Sequence, residues 1–228
     1  MNQNLTRPLR TRATSESAKT ARRASLLSTA SALFASRDFN DVSVDDIAKK
    51  AGLAKGTVYL YFGTKEALFL HLVSEEMAGW LKEAAQLLGK SGRSPLDAAR
   101  VVACTLSKRP ILIRLLALLH AVLERNSEVS SLRAFKRRLL ELTTESTALF
   151  ERALDLAPGT GGQLTLWMHA LIVGLAQMTA TSPTLKDILA EDDSLAVFRL
   201  DFRMELESAL VTLFAGAKDR FTPKSRRS

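Results

Sequence analysis

The sequence predicts an all-α chain of about nine helices, arranged as a small helix-turn-helix module followed by a larger helical domain. Three observations support this. Apolar residues recur at three- and four-residue steps along most of the 228 residues, and no segment sustains period-two alternation. The breaks between these stretches fall at glycines, prolines and Ser/Thr caps. Two short helical stretches are joined by Ala51-Gly52-Leu53-Ala54, the length and glycine content of a helix-turn-helix.

The elements follow in order. Residues 1–16 are rich in Thr, Ser and Arg and read as a flexible basic arm. A helix begins near Ser17 and carries Leu26, Leu27, Ala30, Leu33 and Phe34, ending near Asp38. Ser43 opens a second helix as the cap of a box closed by Asp46, and Gly52 suits the left-handed position after its end. A third helix spans Lys55–Phe62. Gly63 breaks it, and Thr64 caps a long helix reaching about Leu88. Ser94-Pro95 with Asp97 starts another, and Pro110 one that runs to about Glu124. Two more are expected over about Val129–Leu156 and Gln163–Thr181, and the last over Ser194–Ala215. The resulting division is an arm (1–16), a helix-turn-helix domain (17–70), a second helical domain (71–216) and a basic tail (217–228).

The net charge of +8 is concentrated at the ends. Residues 1–70 hold 11 Lys/Arg against 6 Asp/Glu, residues 71–217 hold 16 against 17, and the remainder 5 against 1. A basic first module on a neutral body points to a polyanion partner for that module. One cysteine excludes an internal disulfide framework and fits a reducing, cytoplasmic setting. No signal peptide or bilayer-length apolar run is present, so a soluble protein is expected. The chain lacks a Gly-rich phosphate loop, a metal-ligand spacing and a nucleophile motif, so neither an enzyme nor a bound cofactor or metal is expected.

Subtracting the core positions Val58 and Phe62 from the third helix leaves Lys55, Gly56, Thr57, Tyr59 and Tyr61. These types suit duplex DNA. A lysine reaches phosphate or guanine, a glycine lets the backbone approach a groove wall, and a threonine offers a hydroxyl and a methyl. Tyrosine hydroxyls donate to phosphate. Lys65 and Ser43, each at a helix start, are further candidates for phosphate. The alternative for the same surface is a sequence-indifferent architectural DNA-binding protein.

The stretch "SVDDIAKKAGLAKGTVYLYFGTKEALF" (43–69) closely resembles the DNA-binding signature of the TetR family of bacterial transcriptional regulators, and "LLSTASALFASRDFNDVSV" resembles that family's first helix and loop. The resemblance covers roughly residues 20–70. It implies an N-terminal three-helix DNA-binding domain with a C-terminal helical ligand-binding and dimerisation domain. It also places Ser43, Lys55, Gly56, Thr57, Tyr59, Tyr61 and Lys65 on DNA-contacting positions. The function implied is a homodimeric repressor, released from a roughly palindromic operator by a small-molecule effector. Two departures stand out. Ala54 replaces the family's frequent Ser cap, and Asp38 a frequent Gly.

For the dimer interface the expected residues are Trp167, Ala170, Leu171, Gly174 and Met178 on one helix, with Phe198, Phe202, Leu206 and Leu210 on the last; completing the monomer core is the alternative for both helices. For an effector pocket the candidates are polar groups set among apolar ones: Cys104, Arg114, His120, Trp167 and His169. The two histidines equally suit a satisfied core, and Arg114 an internal pair with Glu124 or Glu145. The cluster "FKRRLL" (135–140) reads as a solvated basic face.

Overall fold

The computed structural model describes residues 9–89, 91–180 and 182–222. Ten α-helices run through them: α1 (Leu9–Phe34), α2 (Val44–Lys50), α3 (Lys55–Phe62), α4 (Lys65–Leu88), α5 (Pro95–Ser107), α6 (Pro110–Leu118), α7 (Val129–Leu154), α8 (Gly161–Thr179), α9 (Pro183–Glu191) and α10 (Phe202–Phe221). Two 3-10 segments, Phe39–Asp41 and Asp193–Phe198, and a π-helical turn, Leu119–Leu123, complete the set. The chain divides into two compact units after Leu72.

In the first unit α1, α2 and α3 close around Leu26, Ala30, Phe34, Ile47 and Val58, all buried. The first turns of α4 add Phe69, whose ring meets Phe34 edge-on at 5.4 Å and Phe39 at 4.9 Å. Edge-to-face contacts of this kind add to the burial of three large rings. Helix α2 starts with the full capping box: the Ser43 hydroxyl accepts from the Asp46 N–H, and the Asp46 carboxylate accepts from the Ser43 N–H. It stops because Gly52 takes φ +68°, and the N–H groups of Gly52 and Leu53 close onto the carbonyls of Lys49 and Ala48. This is the paired C-terminal motif that a left-handed residue makes possible.

In the second unit α10 packs along α5 and α8, and α8 also packs against α6 and α7. Phe150 of α7 and Phe214 of α10 meet at 5.6 Å inside it. Trp80 on α4 donates its indole N–H to Thr105 on α5 at 3.0 Å, which satisfies a polar atom in an apolar setting. The start of α8 is held by Glu151, whose carboxylate accepts from the N–H groups of Gly159 and Gly161. A Cβ at Gly161 would lie 2.7 Å from Glu151 Cγ and 2.9 Å from the Thr147 carbonyl oxygen, so no larger residue fits.

Several expectations need correction. Helix α1 starts at Leu9 rather than near Ser17, because no glycine or proline interrupts residues 9–34; half of the expected arm is therefore helical, and residues 1–8 lie outside the described residues. The expected helix over Ser194–Ala215 is two elements. Asp201 accepts from the Met204 N–H and restarts the chain as α10, which continues to Phe221 through the first part of the expected tail; residues 223–228 are not among those described. Helix α9 is an addition, begun by the Ser182 cap and Pro183. The helix from Pro110 leaves α geometry at Leu119.

The expected interface residues Leu206 and Leu210 are both 0% exposed inside the second unit. With Phe214 and Ala217 they form the inward stripe of α10, against α5 and α8. The outward side of α10 carries Met204, Ser208, Thr212, Ala215 and Gly216 instead. On α8, Leu166, Trp167, Ala170 and Met178 are exposed and Leu171 and Gly174 half-buried, while Phe198 is exposed on its 3-10 segment and Phe202 half-buried.

These assignments separate two substitutions only two residues apart on α10. Leu210→Ala is expected to lower stability by about 2–5 kcal/mol through loss of buried volume. Thr212→Ala, on the outward side, is expected to stay within about 0.5 kcal/mol. Urea unfolding at one protein concentration measures both.

Candidate nucleic-acid interface and cavity

Helix α3 has eight residues and two anchors, Val58 and Phe62, both buried. Its opposite side is open. Lys55 and Gly56 are exposed, and a Cβ at Gly56 would meet nothing within 4 Å. Tyr59 is 44% exposed, and Thr57 and Tyr61 are half-buried at the flanks of the same face. Ala54 gives no side-chain cap, so the first N–H groups of α3 lack a protein side-chain acceptor at that position. The structure therefore brings Lys55, Gly56, Thr57, Tyr59 and Tyr61 together on one outward surface.

Ser43 and Lys65 are placed differently. The Ser43 hydroxyl donates to Asp46 at 2.7 Å while accepting the Asp46 N–H, and Asp46 is held below the usual carboxylate range chiefly by that hydroxyl. The Lys65 ammonium donates to the carbonyls of Phe39 (2.8 Å) and Val42 (3.0 Å) and lies 4.0 Å from the Phe39 ring centroid. Burial lowers its pKa. Both side chains thus tie the α1–α2 connection to the neighbouring helix start, using donors that sequence reasoning assigned to phosphate.

Two residues of this unit escaped that reasoning. Leu60 is 87% exposed in the middle of α3's outward face. A helical wheel reveals it, since it lies about 200° around the axis from Val58. An exposed leucine there has the chemistry to meet a thymine methyl. His71, on α4, accepts a hydrogen bond from Arg23 at 2.7 Å, and Arg23 also stands 5.1 Å from the Phe62 ring centroid. The His71 ring is 5.6 Å from Phe62. Arg23 and His71 thereby clamp the C-terminal anchor of α3 between α1 and α4.

In the second unit a cavity of ≈280 Å³ lies among α4, α5, α6, α7 and α8. Its walls are mostly Trp80, Leu81, Leu106, Leu112, Met168 and Ile172. Of the five expected pocket residues it takes His120 and His169. Cys104, Arg114 and Trp167 are elsewhere, for one geometric reason: each lies two residues from a lining residue of its own helix (Leu106, Leu112 and Thr165), about 200° around the axis. Cys104 borders a separate shallow groove with Arg100, Lys108, Arg203 and Glu207. Trp167 is on the exposed side of α8.

A polar chain borders the cavity. His120 Nε2 and His169 Nε2 are 3.2 Å apart, His120 Nδ1 is 3.4 Å from Glu124, and Lys136 pairs with Glu124 at 2.7 Å. Donation from His169 to His120 and from His120 to Glu124 satisfies all three side chains. Burial, then the positive neighbours His120 and Lys136, pushes the His169 pKa down. Lys136 belongs to the cluster expected to be a solvated face; its i+7 and i+10 neighbours Thr143 and Ser146 also line the cavity, a stripe legible on α7 once the fold is known. Among the described residues no group of three or more His, Cys, Asp or Glu side chains could hold a metal ion. No single helix among them is long and apolar enough to cross a membrane.

A family model described as "Bacterial regulatory proteins, tetR family" matches residues 26–72, and one for the "Tetracyclin repressor-like, C-terminal domain" matches residues 74–220. The chain belongs to the TetR family. The HTH-type transcriptional regulator EthR of Mycolicibacterium smegmatis is 46% identical over 52 residues, 23% of this chain and 24% of that protein. EthR of Mycobacterium tuberculosis is 37% identical over 79 residues, 35% of each. Those alignments span at most about a third of these relatives. A transcriptional regulator from Rhodococcus sp. Rha1 shares the fold, with a TM-score of 0.58 at 20% identity over 89% of this chain and 99% of that one. As a TetR-family member the protein is a DNA-binding transcriptional regulator, in a family whose members are not enzymes.

The Arg23–His71 clamp has a pH signature. Burial first, and then Arg23, lowers the His71 pKa from 6.5 to about 4. The unfolded chain therefore takes up the proton first, and stability rises with pH between those values. The contribution is complete above pH 6.5, declines as pH falls and is lost below about 4. Thermal unfolding between pH 7 and 5 is expected to show this loss, and His71→Gln to flatten the slope.

Proposed function

We propose that this TetR-family regulator acts as a homodimeric repressor, with α3 of each protomer in the major groove of one half of a roughly palindromic operator. The observation carrying the reading is the uncovered side of α3, where Lys55, Gly56, Tyr59 and Leu60 are exposed together while Val58 and Phe62 hold the helix from beneath. Lys55 and Tyr59 are assigned to phosphate or base edges, Thr57 and Tyr61 to the flanking backbone, and Gly56 to close approach. Ser43 and Lys65 set the position of the helix rather than reaching for DNA through their side chains.

One short helix reads too few bases to be selective, and a two-fold dimer reads two half-sites about 34 Å apart. The exposed strips of α8 (Trp167, Ala170, Met178) and α10 (Ser208, Thr212, Ala215) support an interface on these helices, because small residues on α10 permit close helix approach. The cavity supports a small-molecule effector. An effector that favours a dimer with the wrong half-site spacing releases the operator by population shift, and α4, continuous from Lys65 to Leu88, is the covalent route between the units. The setting is the cytoplasm, at the nucleoid.

The test begins with selection of bound sequences from random DNA, followed by titrations of the recovered site and of random duplex at one salt concentration. A palindromic site bound at least a hundredfold more tightly is expected. Equal affinities would show a sequence-indifferent architectural protein instead. Tyr59→Ala is expected to weaken operator binding about tenfold or more without changing the molar mass in solution. Ala215→Arg is expected to give monomers by light scattering, with operator binding lost and helix content kept.

A further inference from the structure

The cavity of the second unit is unequal in its polarity, and this inequality bears on what enters it. Its walls are hydrocarbon, apart from the paired His120 and His169, the α7 residues Lys136, Thr143 and Ser146, and Thr165 of α8. Lys136 and His120 keep about half of their side chains in solvent, so they mark the mouth. Ser146, ten residues along α7 from Lys136, is about 15 Å further along the helix axis and only 6% exposed.

Ser146 is the informative group. Its hydroxyl has no hydrogen-bond partner among the described residues, whereas every side-chain nitrogen or oxygen sealed from open space has one. The hydroxyl therefore keeps contact with open space, and for a residue this buried that space is the cavity it lines. Thr165 is nearly as buried, and its hydroxyl has only a long contact of 3.4 Å to Thr147. The deep end thus offers neutral hydroxyls and no charge.

The mouth offers no uncompensated cation. Lys136 is paired with Glu124 at 2.7 Å, and Glu124 is also the partner of His120, which in turn faces His169. A ligand carboxylate placed deep would lose its hydration against hydroxyls alone. Placed at the mouth, it would have to displace Glu124 from Lys136 and would face that carboxylate.

Resting on the reading of this cavity as the effector site, we propose that it selects an uncharged, largely apolar molecule carrying one hydroxyl or carbonyl oxygen, which bonds to Ser146. By comparison with a cavity of about 150 Å³ that holds benzene, the space suits about ten to twelve non-hydrogen atoms. The matching carboxylic acid, ionised at neutral pH, is rejected.

Nonan-1-ol and nonanoate, a matched pair of probes, test this by calorimetry and thermal shift on the full chain at pH 7.5. Nonanol is expected to bind once per chain and raise Tm, and nonanoate to bind at least tenfold more weakly. Ser146→Ala is expected to weaken nonanol about two- to tenfold while leaving the Tm of the free protein within a few degrees. Glu124→Gln, which frees Lys136, is expected to raise nonanoate affinity about tenfold. Nonanoate binding as tightly as nonanol in the unaltered protein overturns the selectivity and leaves the effector site standing. No change in nonanol affinity in Ser146→Ala overturns the role of Ser146. Binding of neither probe overturns the effector site itself.

Discussion

The burial of two side chains, Val58 and Phe62, is the constraint on which the rest of the DNA-binding unit depends. An isolated helix of eight residues is unstable in water, and α3 lacks even a side-chain cap at its start. It exists because those two positions, four apart, fill a core already built by α1, α2 and the first turns of α4. Anchoring through one narrow stripe leaves most of the remaining circumference free of packing duty. That is why Lys55, Gly56 and Tyr59 can be chosen for what lies outside the protein. The surrounding polar bonds serve the same end. Lys65 on the Phe39 and Val42 carbonyls, and Arg23 with His71 around Phe62, fix the angle at which the open face is presented.

The second unit solves a different problem, that of keeping space inside a helical bundle. Large inward residues close most of it, as with Phe150 against Phe214. Around the cavity the walls are braced instead of filled. Trp80 is fixed by its bond to Thr105, and the start of α8 is fixed by Glu151 against a glycine that nothing larger can replace. On α7 a polar stripe takes the place of the hydrocarbon that would otherwise close the gap. Its charged end is neutralised within the protein by Glu124, so the space reads as apolar with a few neutral hydrogen-bonding groups.

Much of the first unit was legible before any coordinates. The Ser43 box, Gly52 as a left-handed stop and the Val58/Phe62 stripe are all local rules acting over fewer than five residues, and each holds in the structure. Leu60 was equally legible by helical angle but has the wrong polarity to draw attention. Ser43 and Lys65 could not be placed from sequence for a physical reason: a hydroxyl or ammonium at a helix start has the same appearance whether its donors face solvent or an acceptor of the same chain. Lys65 finds its carbonyls 23 and 26 residues away, a relation no local pattern contains.

By itself the sequence determined most of the helices, α9 and the break before α10 excepted, and which short helix carries the polar face, because capping, left-handed glycines and 3.6-residue periodicity are properties of neighbouring residues. Only the tertiary structure decided which side of each long helix faces inward. Helix α10 is apolar over more than half its circumference, so Leu206 and Leu210 serve an interface as well as a core until α5 and α8 are in place. Likewise the cavity belongs to no segment: His120, His169, Lys136 and Ser146 meet there only because helices distant in the chain are packed together, and a side chain's surroundings are set by that packing rather than by its neighbours along the backbone.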